Sequence, residues 1–156
     1  MANYTASDVK KLREETGAGM MDCKKALDEA NGNFEEAKEV VRQRGLALAE
    51  KKSDRETKEG YIASYVHANN KVAALVEILC ETDFVARNDE FQTMARDVAM
   101  HVVAMNPENV EALLADQFIK NPDITVEELV KGVSGKIGEK FVVNRFVRYE
   151  VGEENK

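Results

Sequence analysis

Hydrophobic positions recur with helical spacing over residues 4–45. Val9 with Leu12, then Cys23, Ala26, Leu27 and Ala30, then Phe34, Ala37, Val40 and Val41 follow the i, i+3, i+4 rhythm of three short amphipathic helices. Thr5 predicts the N-cap of the first helix, with Asp8 in its first turn and Gly17 at its end. Residues 17–21 read as a loop, and the second helix runs from about Asp22 to Ala30. Asn31-Gly32 breaks the pattern, Asn33 with Glu36 restarts it as a capping box, and Gly45 closes the third helix. Its small apolar set puts residues 1–45 near the lower limit of independent stability.

The pattern then changes. Leu46, Ala47, Leu48 and Ala49 either extend the third helix or begin a linker, and the charged run that follows reads as a solvated tether over residues 46–59. Tyr61, Ile62, Tyr65 and Val66 predict a strand, Asn69-Asn70 a tight turn, and the almost wholly apolar Val72–Cys80 a central strand. Helical spacing returns with Phe91, Met94, Ala95, Val98, Val102 and Met105, ending at Pro107. Val110, Leu113 and Leu114 suggest a short helix and Asn121-Pro122-Asp123 a turn. Thr125 with Glu128 is a capping box for a helix that turns Leu129, Val130, Val133 and Ile137 inward, with Gly135 and Gly138 loosening its end. Val143, Val147, Tyr149 and Val151 alternate with Asn144, Arg148 and Glu150, the period of a half-exposed strand. The expected architecture is α+β: three N-terminal helices (1–45), a charged linker (46–59), a core (60–151) with an antiparallel sheet of about three strands covered by helices, and a polar tail (152–156).

One corner of this pattern is unusual. Between the central strand and the next helix stands Thr82-Asp83-Phe84-Val85-Ala86-Arg87-Asn88. Such corners are ordinarily made of Gly, Asn, Ser and Pro, and this one carries a Phe beside a carboxylate. Two readings stay open. Phe84 is a staple that folds back over the core while Asn88 or Asp89 caps the helix. Or it is an anchor that a rigid loop presents to a partner's pocket, with Asp83 meeting a cation, a metal-bound water or a helix N-terminus. Met20-Met21 poses the same choice between plugging the small helical core and offering an adaptable contact.

Composition narrows the function. With 44% hydrophobic and 33% charged residues the chain fits a soluble globular protein, and a formal net charge of −7 argues against a binder of phosphate backbones. No apolar run approaches the ~20 residues of a membrane span, and the first residues lack the basic and apolar regions of a leader. Cys23 and Cys80 sit in apolar positions and read as buried thiols of a reducing compartment. His67 and His101 assemble no catalytic set, and neither a GxxxxGK[ST] nor a GxGxxG motif occurs.

Three stretches then act together: Leu12-Arg13-Glu14-Glu15-Thr16-Gly17-Ala18-Gly19-Met20-Met21-Asp22-Cys23-Lys24-Lys25-Ala26-Leu27, the 82–88 corner, and Lys136-Ile137-Gly138-Glu139. In sequence, order and spacing they resemble the translation elongation factor Ts family, from about Tyr4 to Val151. The resemblance implies a guanine-nucleotide exchange factor for elongation factor Tu, with no covalent chemistry and no cofactor of its own. It implies that residues 4–45 form a module of the ubiquitin-associated type that docks on the GTPase through Met20 and Met21. It implies that Phe84 wedges into the nucleotide domain and that Asp83 disturbs the magnesium site, with Thr82 and Val85 beside them and Ile137 and Gly138 in a further contact. Longer members repeat the sheet subdomain and insert a coiled coil. The short form resembled here is expected to be a homodimer through its sheet, without nucleic-acid or membrane contacts, in a bacterial cytoplasm or an organelle matrix or stroma. Two other classes remain: an adaptor that uses only the helical module, for which Phe84 has no role, and a small enzyme, which needs a positioned base.

Overall fold

Local capping chemistry sets the ends of most helices. A computed structural model describes residues 2–154; Met1 of the 1–45 unit and Asn155 and Lys156 of the expected tail lie outside the described residues. Helix α1 (Ala6–Thr16) starts at Thr5, whose hydroxyl accepts from the Asp8 amide while the Asp8 carboxylate accepts from the Thr5 amide; it ends at Gly17 with φ 68°. Helix α2 spans Met20–Glu29 and α3 spans Phe34–Glu50, where the Asn33 side chain caps the Glu35 and Glu36 amides. Leu12, Cys23, Ala26, Leu27 and Ala37 fill the small core among these helices, with Phe34, Val40 and Val41 packed around it.

Two helix ends differ from the sequence pattern. The second helix begins at Met20, not Asp22, because Gly19 takes the extended conformation of an N-cap. The third continues through Gly45 to Glu50. Gly45 lies against helix α7 (Val126–Ile137), where a Cβ on Gly135 would stand 2.1 Å from the Gly45 carbonyl oxygen. The two helices cross at backbone contact because these glycines have no side chains, so Gly135 is a packing residue rather than a loosener. Arg42 meets Glu128 at 3.0 Å and Lys131 meets Glu50 at 2.5 Å along the same crossing. The N-terminal helices are therefore seated on the rest of the chain.

Strands β1 (Glu59–Val66) and β2 (Val72–Cys80) form an antiparallel hairpin, and the last strand, β5 (Val142–Glu150), adds antiparallel to β2. The central place of β2 agrees with its apolar composition. The connection between β1 and β2 covers residues 67–71, with Asn70 at φ 57°. One sheet face, built on Ala63, Ala74, Val76, Ile78 and Cys80, packs against α5 (Asp89–Met105) through Phe91, Met94, Ala95, Val98 and Val102. Phe91 meets the Phe141 ring edge-on at 4.8 Å. Met105, expected inside, is exposed at the helix end, where Asn106 takes a left-handed cap. A short helix α6 (Val110–Ala115) and a two-stranded ribbon, β3 (Gln117–Phe118) and β4 (Asn121–Thr125), complete the core; the ribbon stands where the sequence suggested only a turn.

The last strand departs most. Glu77 pairs with Arg145 but Ile78 pairs with Val143, so Asn144 is an extra residue, a β-bulge. The bulge reverses the alternation beyond it. Val143 and Phe146 turn to the core and the Arg148 guanidinium turns in to donate to the Val103 carbonyl, while Val147, Tyr149 and Val151 face outward. The outer sheet face thus exposes Ile62, Val66, Leu75, Val147, Tyr149 and Val151.

Candidate functional site

Residues 82–88 fold as a single helical turn, α4 (Asp83–Ala86), tied at both ends. The Thr82 hydroxyl oxygen accepts from the Val85 amide at 3.4 Å, and Asn88, which caps α5, accepts from the Phe91 amide at 3.0 Å. A four-residue helix cannot hold itself, since nucleation is unfavourable without tertiary support. Support comes from Ala86, which is buried, and Val85, which packs on the main core. Phe84 points the other way and is 88% exposed. The staple reading is overturned: Val85, Ala86 and Phe91 close the core, and Phe84 is left in water. Burying a Phe stabilises a chain by about 1.5–3 kcal/mol, a gain this position forgoes. Beside it, Asp83 pairs with Arg87 one turn on at 2.5 Å, both side chains being exposed.

The Lys136-Ile137-Gly138-Glu139 stretch lies against this turn. Gly138 ends α7 at φ 94°, with open space where a Cβ would stand, and Ile137 packs half-buried on the core. Glu139 reaches back. Its Oε1 accepts from the Glu81 and Thr82 amides at 3.1 and 3.0 Å, and its Oε2 accepts from the Thr82 hydroxyl at 2.6 Å. Glu81 in turn accepts from the Lys140 amide at 2.7 Å and from Arg55 at 3.3 Å, and Lys140 Nζ donates to the Ser53 carbonyl at 2.6 Å. The charged segment around Ser53 and Arg55, expected as a free tether, is therefore fastened beside the turn.

The third stretch arrives from α1 and α2. Lys136 Nζ bonds Glu90 at 2.6 Å, and its chain passes over Gly17 so closely that a Cβ there would stand 2.0 Å from Nζ. The positive φ of 68° is what calls for glycine at position 17, since the Lys136 side chain could swing away from a Cβ. Three residues later α2 begins, and its first turn exposes Met20 by 45% and Met21 by 61%. The buried residues of the helical core are Val9, Leu12, Cys23, Ala26, Leu27, Ala30 and Ala37, so the two methionines do not plug it. Three stretches far apart in the chain are in this way joined edge to edge through Lys136 and Glu139. Both residues lie within the sequence motif, where no local rule gives them a role; the one signal for Glu139 is a carboxylate directly after a helix-ending glycine.

Among the described residues no group of His, Cys, Asp and Glu could hold a metal ion, and no helix is long and apolar enough to cross a membrane. Burial, reinforced by the Glu139 and Glu59 charges, pushes the Cys80 thiol up to about 11. The class these features define is a chain that presents apolar side chains on hydrogen-bonded supports.

The model of the family described as Elongation factor TS matches residues 81–156, beginning one residue before Thr82. Elongation factor Ts of Carboxydothermus hydrogenoformans is 43% identical over 194 residues, which cover 96% of this chain and 89% of the relative. That of Finegoldia magna is 43% identical over 98% of this chain and 92% of its own, and that of Thermosipho melanesiensis 42% over 96% and 99%. The chain belongs to the elongation factor Ts family, and its role is that of a translation elongation factor. The alignment with the first relative is longer than the 156 residues here, so that relative contains residues with no counterpart in this chain.

Proposed function

We propose that this chain is a guanine-nucleotide exchange factor that binds elongation factor Tu and accelerates release of its GDP. The observation that carries the reading is Phe84, a large aromatic held almost fully in water on a short helix clamped at both ends. GDP and Mg²⁺ hold a GTPase closed through phosphate and metal contacts. A factor that prefers the nucleotide-free form weakens nucleotide binding by the same factor by which nucleotide weakens its own. Phe84 needs no covalent chemistry for this, only to occupy a position incompatible with the intact magnesium and phosphate site. Asp83 acts at that site, Met20, Met21, Ile137 and Gly138 extend the contact, and Thr82 and Val85 hold the pair in place. The factor carries no cofactor, and the reading assigns it to the bacterial cytoplasm or an organelle matrix. The test is release of a fluorescent GDP analogue from elongation factor Tu. Strong acceleration by the chain that Phe84→Ala reduces to a small residual rate supports the reading; no acceleration at any concentration overturns it.

The same reading makes the protein a homodimer. Its support is the outer sheet face, where Leu75, Val147 and Tyr149 form an exposed apolar centre beside the Glu77–Arg145 pair at 3.4 Å. Light scattering at tens of micromolar checks it: twice 17.4 kDa is expected, and only 17.4 kDa overturns it.

A further inference from the structure

We propose that Glu139 is the positioning residue that sets the presentation of Phe84; the proposal rests on the exchange reading above for its functional half. With almost no contacts of its own, Phe84 is placed only by the backbone of its turn. That turn hangs on Thr82, and Thr82 hangs on Glu139. The carboxylate takes the Thr82 amide and hydroxyl proton together, which fixes the rotamer that leaves the hydroxyl oxygen free to cap the Val85 amide. It also satisfies the Glu81 amide, at the end of β2, which would otherwise face the turn unpaired. Glu139 is itself held at the backbone, where its carbonyl accepts from Ser134 Oγ at 2.5 Å inside α7. The clamp runs from α7 through Glu139 and Thr82 to Val85, and Phe84 stands within it. A side chain held in its bound position before the encounter loses less entropy on binding. Glu139 thus acts through Phe84 and touches no nucleotide.

Glu139→Ala in the full chain tests this against Phe84→Ala and the double variant, by release of a fluorescent GDP analogue from elongation factor Tu. Glu139→Ala is expected to lower the rate about tenfold, the size set by loss of charge-assisted hydrogen bonds. The loss should appear mainly in the concentration needed for half-maximal rate, because the anchor is still present but unordered. Adding Glu139→Ala to Phe84→Ala should cost nothing more. Glu139→Gln, which keeps an acceptor for both amides, should stay within about threefold of the parent, and Glu139→Asp, too short to reach, should resemble the alanine variant. Equal losses in the parent and Phe84→Ala backgrounds would overturn the proposal, as would no loss in either. Amide hydrogen exchange of the free chain gives a readout that needs no partner: the Thr82 and Val85 amides should exchange faster in Glu139→Ala while the α5 amides do not change. If the parent fails to accelerate release but these amides respond, the exchange reading falls and the positioning role stands. If they do not respond, the positioning role falls.

Discussion

At the scale of single residues, exposure and function are set against stability. Phe84 touches little, so Phe84→Ala should leave thermal stability within about 0.5 kcal/mol while slowing exchange to a small residual rate. A large loss of stability, read as a fall in Tm, would return Phe84 to the core. Asp83→Ala should slow GDP release more than it weakens binding, since in the free chain it pairs with the exposed Arg87; equal losses would contradict the proposed role of Asp83 at the magnesium site. Cys80 behaves oppositely. Its thiol titrates near 11, so a thiol reagent at pH 8 should modify the folded chain far more slowly than the denatured one. Because the folded value is raised, its contribution to stability is present at neutral pH and drains only as pH climbs toward 11.

At the scale of elements, the α3–α7 crossing fixes where the helical unit sits. Gly135→Ala would drive a Cβ into the Gly45 backbone, which has no side-chain freedom to yield, and should destabilise by about 1–3 kcal/mol in urea unfolding. Proteolysis near Arg55 should speed up in that variant if α3 lifts away. Helix α3 also carries an acid-sensitive pairing. Hydrogen bonds from Arg42, then Gln43, hold the Glu39 carboxyl down to about 2, and Glu50 at the crossing is lowered by Lys131. Folded values below the unfolded one give stability that is whole above about pH 4.5 and is lost as pH falls toward 2. The urea midpoint should therefore drop between pH 5 and 2.5, and a flat midpoint would mean that these pairs contribute nothing.

At the scale of the molecule, two sets of exposed apolar side chains stand out: Met20, Met21 and Phe84 on the motif stretches, and those on the outer face of the sheet. The proposed dimer uses the second and leaves the first free for the GTPase. Val147→Asp with Tyr149→Lys should give a 17.4 kDa species by light scattering with the fold unchanged by circular dichroism. A dimer that survives would place the contact elsewhere.

Much of the fold was legible in the residues, because capping and periodicity are local. Thr5, Asn33, Asn88 and Thr125 mark helix starts, Gly17 and Gly138 mark ends, and the apolar run of β2 marks the centre of the sheet. The motif residues 82–88 and 136–139 were equally visible. Tertiary structure decided what local rules cannot carry. A single bulged Asn144 reversed the face of the last strand, since side chains alternate with a period of two. Whether Gly45 ends a helix or lets two helices touch depends on Gly135, far along the chain. Whether Phe84 is covered or bare depends on Val85, Ala86 and Phe91 having already filled the core. Glu139 gains its place only because the end of α7 meets the end of β2, a contact between residues more than fifty positions apart that no periodicity records.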